Sequence, residues 1–277
     1  MTGRLVLGLV LSAAIGGLGY WRQALTASGI LGAIVVGTLI FGLGGWLWGL
    51  LLIAFFVSSS WLSHYRKGDK ETITGKFAKG SRRDLGQVLA NGGLGAVLAT
   101  AYACYPDPLL FAAFLGVIGT VNADTWATEL GILSRELPRL ITTGESVPPG
   151  TSGGVSWLGT WASVAGALLI GTVALALVQI DSLLGSKGWS LRAASYPWLA
   201  VAGGLAGSMV DSLLGATVQR IYYCDACARE TERSVHRCGQ TSRPLRGWAW
   251  FGNDVVNWFA SLLGGLVTTL LACLLWR

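Results

Sequence analysis

The sequence predicts an all-α fold, a polytopic integral membrane bundle of about seven or eight helices, and three observations carry that prediction. Hydrophobic residues make up 52% of the 277 positions against 12% charged, with a mean hydropathy of +0.57, outside the norm for soluble globular domains. Apolar runs recur at 4 to 20, 28 to 43, 45 to 63, 86 to 104, 108 to 133, 157 to 180, 198 to 219 and 254 to 276, each near the ~20 residues that cross hydrocarbon. Sixteen of the twenty Lys and Arg fall in alternate connections, the bias that keeps loops in the cytoplasm. The chain therefore reads as a single membrane domain, 1 to 277. It carries a basic cytoplasmic loop at 64 to 85 and a basic Cys/His loop at 220 to 252 before the last helix, with both termini on the opposite face.

The first run follows Arg4 and has the outline of a secretory signal, but it continues to Tyr20-Trp21-Arg22 without a small-residue cleavage site and reads as a span. The second and third are separated only by the Gly-rich residues 42 to 45, so they form two spans or one bent, re-entrant pair. The fourth carries Gln87 and Asn91, four residues apart on one helical face. The fifth and seventh carry Asp124 and Asp211. Each acid follows a Gly-Thr or Gly-Ser pair, and the two helices run in the same direction, so the segments 86 to 133 and 157 to 219 could be an internal repeat. The forty glycines suit close helix packing in lipid. Trp21, Trp157, Trp189, Trp198, Trp248, Trp250 and Trp276 sit near span ends as interfacial anchors.

A carboxylate inside a bilayer is costly unless it faces a polar cavity, a metal or a substrate, or makes a polar contact between helices. At 1.5 Å per residue, Asp124, Asp211 and Asn91 all lie roughly 10 to 15 Å inside the cytoplasmic end of their helices, a shared depth at which one cytoplasm-facing cavity could contain them. Thr128 and Glu129 add oxygens near Asp124, and Asn253, Asp254 and Asn257 open the eighth span. Mg²⁺ prefers such oxygen ligands, with phosphate and water completing the shell. The stretch from Gly68 to Lys76 is not a phosphate-binding Walker loop, because six residues separate its glycines and Phe77 stands where Ser or Thr belongs. Lys76, Lys79, Arg82 and Arg83 can hold phosphates as side-chain charges or serve topology and anionic lipid. In the segment Gly150-Thr151-Ser152-Gly153-Gly154-Val155-Ser156, glycines allow backbone N-H groups to converge on an anion, or Ser156 simply caps the next helix. Cys224, Cys227, His236 and Cys238 supply four thiol or imidazole ligands within fifteen residues. That spacing fits a structural Zn²⁺ knuckle in a reducing compartment, a redox pair or unligated cysteines being the other readings.

Lys79-Gly80-x-Arg82 with Gln87-Val-Leu-Ala-Asn91-Gly92, then Asn122-Ala-Asp124-Thr-Trp-Ala-Thr128-Glu129, Gly150-Thr-x-Gly153-Gly154-Val-Ser156, Asp211-Ser212-Leu-Leu-Gly215 and Asn253-Asp254-x-Val-Asn257 resemble the polytopic membrane family that includes plant phytyl-phosphate kinase of vitamin E (tocopherol) synthesis and transmembrane protein 19. Ser152 stands where Asn is expected, a small polar replacement. The resemblance implies transfer of a nucleotide γ-phosphoryl, from CTP or ATP, to an isoprenoid monophosphate. It implies Asp124, Asp211 and Asp254 on Mg²⁺, and Lys79 and Arg82, with Lys76 and Arg83, on phosphates. Gln87, Asn91, Asn122, Thr128, Glu129, Ser212, Asn253, Asn257 and the polar residues of the 151 to 156 loop would position substrate and nucleotide. The expected partners are membrane lipid, the isoprenoid and a nucleoside triphosphate, with no nucleic acid. An isoprenoid alcohol kinase, using a carboxylate as base, and a lipid or small-molecule transporter are the rival readings.

Overall fold

An apolar segment in lipid has no water to satisfy its backbone, so it closes its own hydrogen bonds as a helix. The computed structural model describes residues 2–66, 68, 82–185, 190–236 and 238–277. Eight long helices run through them: α1 (Thr2–Trp21), α2 (Ala27–Leu39), α3 (Trp46–His64), α4 (Leu85–Cys104), α5 (Pro108–Gly131), α6 (Trp157–Leu184), α7 (Tyr196–Thr217) and α8 (Asn253–Leu275). Seven of these segments are long and apolar enough to cross a bilayer. The eighth, α4, falls short because Gln87, Asn91 and several glycines dilute its apolar face, yet it packs against α2, α5 and α8 within the bundle.

The second and third spans are separate helices. After α2 a π-helical turn at Ile40–Gly44 leads to Gly45, whose φ of +93° is a conformation that L side chains rarely adopt. Helix α3 starts at the next residue. Capping fixes other starts: Asp84 and Gln87 form a reciprocal capping box on α4, Asp107 caps α5 and Ser156 caps α6.

Helix α5 is the axle of the bundle, 61% buried over its apolar window against 22% for α1, with α3, α4, α6, α7 and α8 around it. Small residues let α5, α7 and α8 close on one another. Thr120 Oγ1 donates to the Gly203 carbonyl at 3.2 Å, and Thr268 Oγ1 to the carbonyls of Leu199 at 3.3 Å and Gly264 at 2.9 Å. A methyl added at Gly203 or Gly264 would run into these threonine hydroxyls.

Toward the end of the bundle away from the basic loops, Trp48 stacks within 4.4 to 5.6 Å of Phe114, Tyr102 and Phe111, and Tyr196 joins through Phe111 at 5.4 Å. Trp276 turns inward here, its indole donating to Ser195 Oγ at 3.1 Å, rather than standing out as an interfacial anchor. Trp21, Trp157, Trp198, Trp248 and Trp250 are exposed, as interfacial anchors should be; Trp189 lies outside the described residues.

Two small sheets lie at the basic end. β1 (Arg139–Leu140) pairs with β2 (Gly154–Val155) in the α5–α6 connection. β3 (Ile221–Cys224) lies between β4 (Arg229–Thr231) and β5 (Arg243–Arg246) in the α7–α8 connection.

Candidate functional site

Since short turns alternate with the polar loops, the C-terminal turns of α3, α5 and α7 meet the N-terminal turns of α4, α6 and α8 at the basic end. Between them is a cavity of about 360 Å³. Asp124, Thr128 and Glu129 enter it from α5, Asp211 and Ser212 from α7, Gln87 and Asn91 from α4, and Asn253 and Asn257 from α8. Arg83 and the loop residues Thr151, Ser152, Gly153, Gly154 and Ser156 complete the wall. Residues as distant in sequence as 83 and 257 thus share one polar chamber inside an apolar bundle.

The acids define its electrostatics. Asp124 and Asp211 lie close enough to repel one another, and Glu232 acts on both. Asp211 Oδ2 is buried without a hydrogen-bond partner among the described residues, a costly state for a carboxylate oxygen unless a cation or donor arrives. Facing the acids is Arg83, which precedes α4. Its Nη1 donates to Ser60 Oγ and its Nη2 to Ser59 Oγ, both at 2.9 Å, and its guanidinium lies over the rings of Phe55 and Phe56. Burial lowers Arg83 to about 10, opposed by the charge of Glu129, so it stays protonated at neutral pH. Glu129 in turn accepts from Ser63 Oγ at 2.6 Å.

The 150 to 156 loop is held by glycine geometry. Gly150 and Gly153 have φ of +78° and +84°, and Gly153 presses on the backbone of Ala216 at the end of α7, where a side chain would not fit. Ser152 Oγ donates to Gln219 Oε1 at 2.5 Å. Gln219 Nε2 donates to Glu232 at 3.0 Å and to Asn253 at 3.4 Å, tying the loop, the β4 end and α8 into one polar rim. Asn257 Nδ2 donates to Asn91 Oδ1 at 3.4 Å across the chamber.

Several expected site residues lie elsewhere. Asp254 does not line the cavity: one position past Asn253 on a helix turns it about 100° away, while Asn253 and Asn257 face in. Arg82 is engaged by the carbonyl of Leu25 at 3.0 and 3.1 Å and stacks over Tyr20, which fixes the start of α2. Asn122 is fully buried. Its Nδ2 donates to Gly166 O at 2.7 Å and its Oδ1 accepts from Ser58 at 3.0 Å, joining α5 to α6 and α3. Lys76 and Lys79 lie outside the described residues. Conversely, Ser63, Ser163, Gln219 and Glu232 line the chamber without having been anticipated. Glu232 comes from a polar loop, and no helical period could have pointed it inward.

Beside the rim, Cys224, Cys227, His236 and Cys238 bring their ligand atoms within 4.8 Å of one another. Cys224 Sγ and Cys238 Sγ are 3.6 Å apart, close to the edge of about 3.8 Å that a tetrahedron with metal–sulfur bonds of about 2.3 Å requires. His236 Nδ1 lies 3.2 Å from Cys238 Sγ, and this hydrogen bond draws the Cys238 thiol down to about 6, while Cys227 is pushed up to about 11 by its hydrogen bond to Cys238. The donor set fits a tetrahedral metal ion with all four positions filled by protein. Arg246 bolts this sheet to the bundle by donating to the Gly215 and Ala216 carbonyls at 2.8 Å, capping the C-terminus of α7.

The model of the integral membrane protein family DUF92 matches residues 10–265. The chain belongs to this family. It is the family to which the sequence motifs pointed, and, with seven bilayer-length apolar helices, it makes the protein an integral membrane protein. Within DUF92 the chain is 32% identical to Protein PGR of Arabidopsis thaliana, over 96% of both chains. It is 30% identical to an uncharacterized membrane protein of Methanocaldococcus jannaschii, over 91% of this chain and 88% of the relative. With Protein VTE6, chloroplastic, of Arabidopsis thaliana it shares 25% identity, over 89% of this chain and 65% of the relative. No solved structure matches it.

Proposed function

We propose that this DUF92 protein is a prenyl-phosphate kinase of the phytyl-phosphate kinase type, transferring the γ-phosphoryl of ATP or CTP to an isoprenoid monophosphate. The observation that carries the reading is the convergence of Asp124 and Asp211 with Arg83, Asn91 and the 150 to 156 loop in one chamber that faces the basic loops. By the positive-inside rule that face is cytoplasmic, where nucleotides are available.

In the reaction an oxygen of the lipid monophosphate attacks the γ-phosphorus, the bond to the β-phosphate oxygen breaks, and a nucleoside diphosphate leaves. The acceptor already carries about −1.5 to −2 charge at pH 7, so it needs no strong base. Among the described residues no histidine lines the chamber, in keeping with that. What the chain must supply is alignment and neutralisation of two anions. Asp124 and Asp211 would hold Mg²⁺, which Asp211's unpartnered oxygen fits, with Glu232 and Ser212 next to them. The chemistry supplied by a cation held there would be neutralisation of phosphate charge. Arg83 would hold the acceptor phosphate, and the Gly153–Gly154 backbone with Thr151 and Ser156 would orient the nucleotide phosphates. Zn²⁺ at the Cys/His cluster would be structural, fixing the sheet that delivers Glu232.

A transporter needs a path through both halves of the bundle. The half opposite the chamber instead holds an apolar core with the aromatic cluster of Trp48, Phe111 and Phe114, which favours an enzyme working from one side.

The test uses purified protein in detergent with Mg²⁺, labelled ATP or CTP, and geranylgeranyl monophosphate or the free alcohol. Labelled diphosphate from wild type, falling by at least about 100-fold in Asp124→Asn and Asp211→Asn, supports the reading. Label entering only the free alcohol would move the assignment to an alcohol kinase. No labelled lipid from either donor would remove the kinase reading.

A further inference from the structure

We propose that a second, apolar pocket enclosed by α1, α2, α3 and α4 is the binding site for the tail of the lipid phosphate. The inference rests on the reading of the polar chamber as a lipid-phosphate site and adds where the hydrocarbon goes. The pocket measures about 80 Å³, several times the roughly 10 to 15 Å³ that one water needs. In a bundle whose glycines otherwise bring helix backbones into contact, a void of that size forfeits packing. Its walls include Ile15, Ala33, Phe41, Leu52, Ile53 and Phe56, so water gains little there and hydrocarbon gains much.

Its position decides the occupant. Arg83, Gln87 and Asn91 line both this pocket and the polar chamber, so the two are neighbours across a wall of three polar side chains. Arg83 marks the boundary itself. Its guanidinium is fixed by Ser59 and Ser60, while the Phe55 and Phe56 rings beneath it belong to the apolar wall. An amphiphile with a phosphate at Arg83 and a branched hydrocarbon against Phe56 matches that change of polarity; a free nucleotide or sugar phosphate does not. Ile15, Ala33, Ile53 and Phe56 are only partly buried, so a chain longer than the pocket continues between α1, α2 and α3 into lipid. The acids lie on α5 and α7, on the other side of Arg83. The tail and the Mg²⁺-binding oxygens would therefore flank the phosphate from opposite directions, leaving its free oxygens turned toward the nucleotide.

The experiment is photo-crosslinking of the full chain in detergent with a geranylgeranyl-type monophosphate carrying a diazirine in its second isoprene unit, followed by peptide mapping. The expected label falls on α1–α4 peptides that contain Phe41, Leu52 or Phe56. It is competed by unlabelled long-chain monophosphate but not by inorganic phosphate, and drops by about tenfold in Ala33→Trp, which fills the pocket. Competed label on α5–α8 instead, or label that no lipid phosphate competes, overturns the proposal. Phosphoryl transfer assayed in the same preparation keeps the two readings apart. Turnover with label elsewhere removes the tail site alone, whereas label in the pocket without transfer from either nucleotide keeps the lipid-phosphate site and removes the kinase.

Discussion

Arg83 stands where the polar chamber meets the apolar pocket, and its geometry makes a sharp substitution possible. Two serines on α3 receive its two Nη groups, a fork that a lysine ammonium cannot reproduce. Arg83→Lys keeps the charge and loses the fork. The expected outcome is a KM for lipid monophosphate raised by about tenfold, some 1.4 kcal/mol, with kcat changed far less; steady-state kinetics at saturating nucleotide checks it. Glu232 acts on both intramembrane acids although it belongs to the loop sheet. Legibility in the sequence divided along this line. Asp124, Asp211, Asn91 and Asn257 declared themselves because polar groups in apolar helices have few reasons to exist. Asp254 and Asn122 passed the same filter and lie elsewhere, because helical phase, which a sequence fixes only to within a turn, decides between a chamber wall and a helix contact.

Packed elements set the next scale. The interlock of Thr120, Gly203, Gly264 and Thr268 predicts that Gly264→Leu destabilises by about 1 to 3 kcal/mol or prevents folding. Gly17→Ala, whose added methyl meets nothing within 4 Å, should be neutral or slightly stabilising. Thermal unfolding in detergent followed by circular dichroism separates the two. The Cys/His sheet adds a second expectation at this level. The purified protein should carry about one zinc per chain, measurable by mass spectrometry, and chelation should reduce activity while leaving helical content intact. Once stripped, Cys238 should alkylate well below the ordinary thiol range, its rate rising through about pH 6 as the thiolate forms and levelling by pH 7, while Cys227 lags to about pH 11. The sequence spacing revealed this cluster, since four ligands in one loop need no tertiary information. The sheet's anchorage through Arg246 to the end of α7 could not be read from it, because carbonyls at a helix end attract a cation from anywhere in the chain.

Across the whole molecule, polarity is one-sided. All eight helix bounds fall within four residues of the apolar runs, because hydrocarbon thickness dictates where a run must end; packing order was invisible, as glycine-rich apolar faces resemble one another. One-sidedness predicts topology: an impermeant maleimide should reach metal-stripped Cys227 and Cys238 only from the cytoplasmic side of membrane vesicles, and Cys104 only from the other. Labelling of the Cys/His loop from outside would invert the assignment and remove nucleotide access. The partly exposed walls of the α1–α4 pocket set how such a protein meets its acceptor. A molecule that enters sideways from the bilayer is encountered by two-dimensional diffusion, so its effective concentration is its mole fraction among neighbouring lipids and not its amount per litre. Inert phospholipid added at constant total substrate then slows turnover as solvent slows a bimolecular reaction, and the rate becomes a gauge of membrane composition.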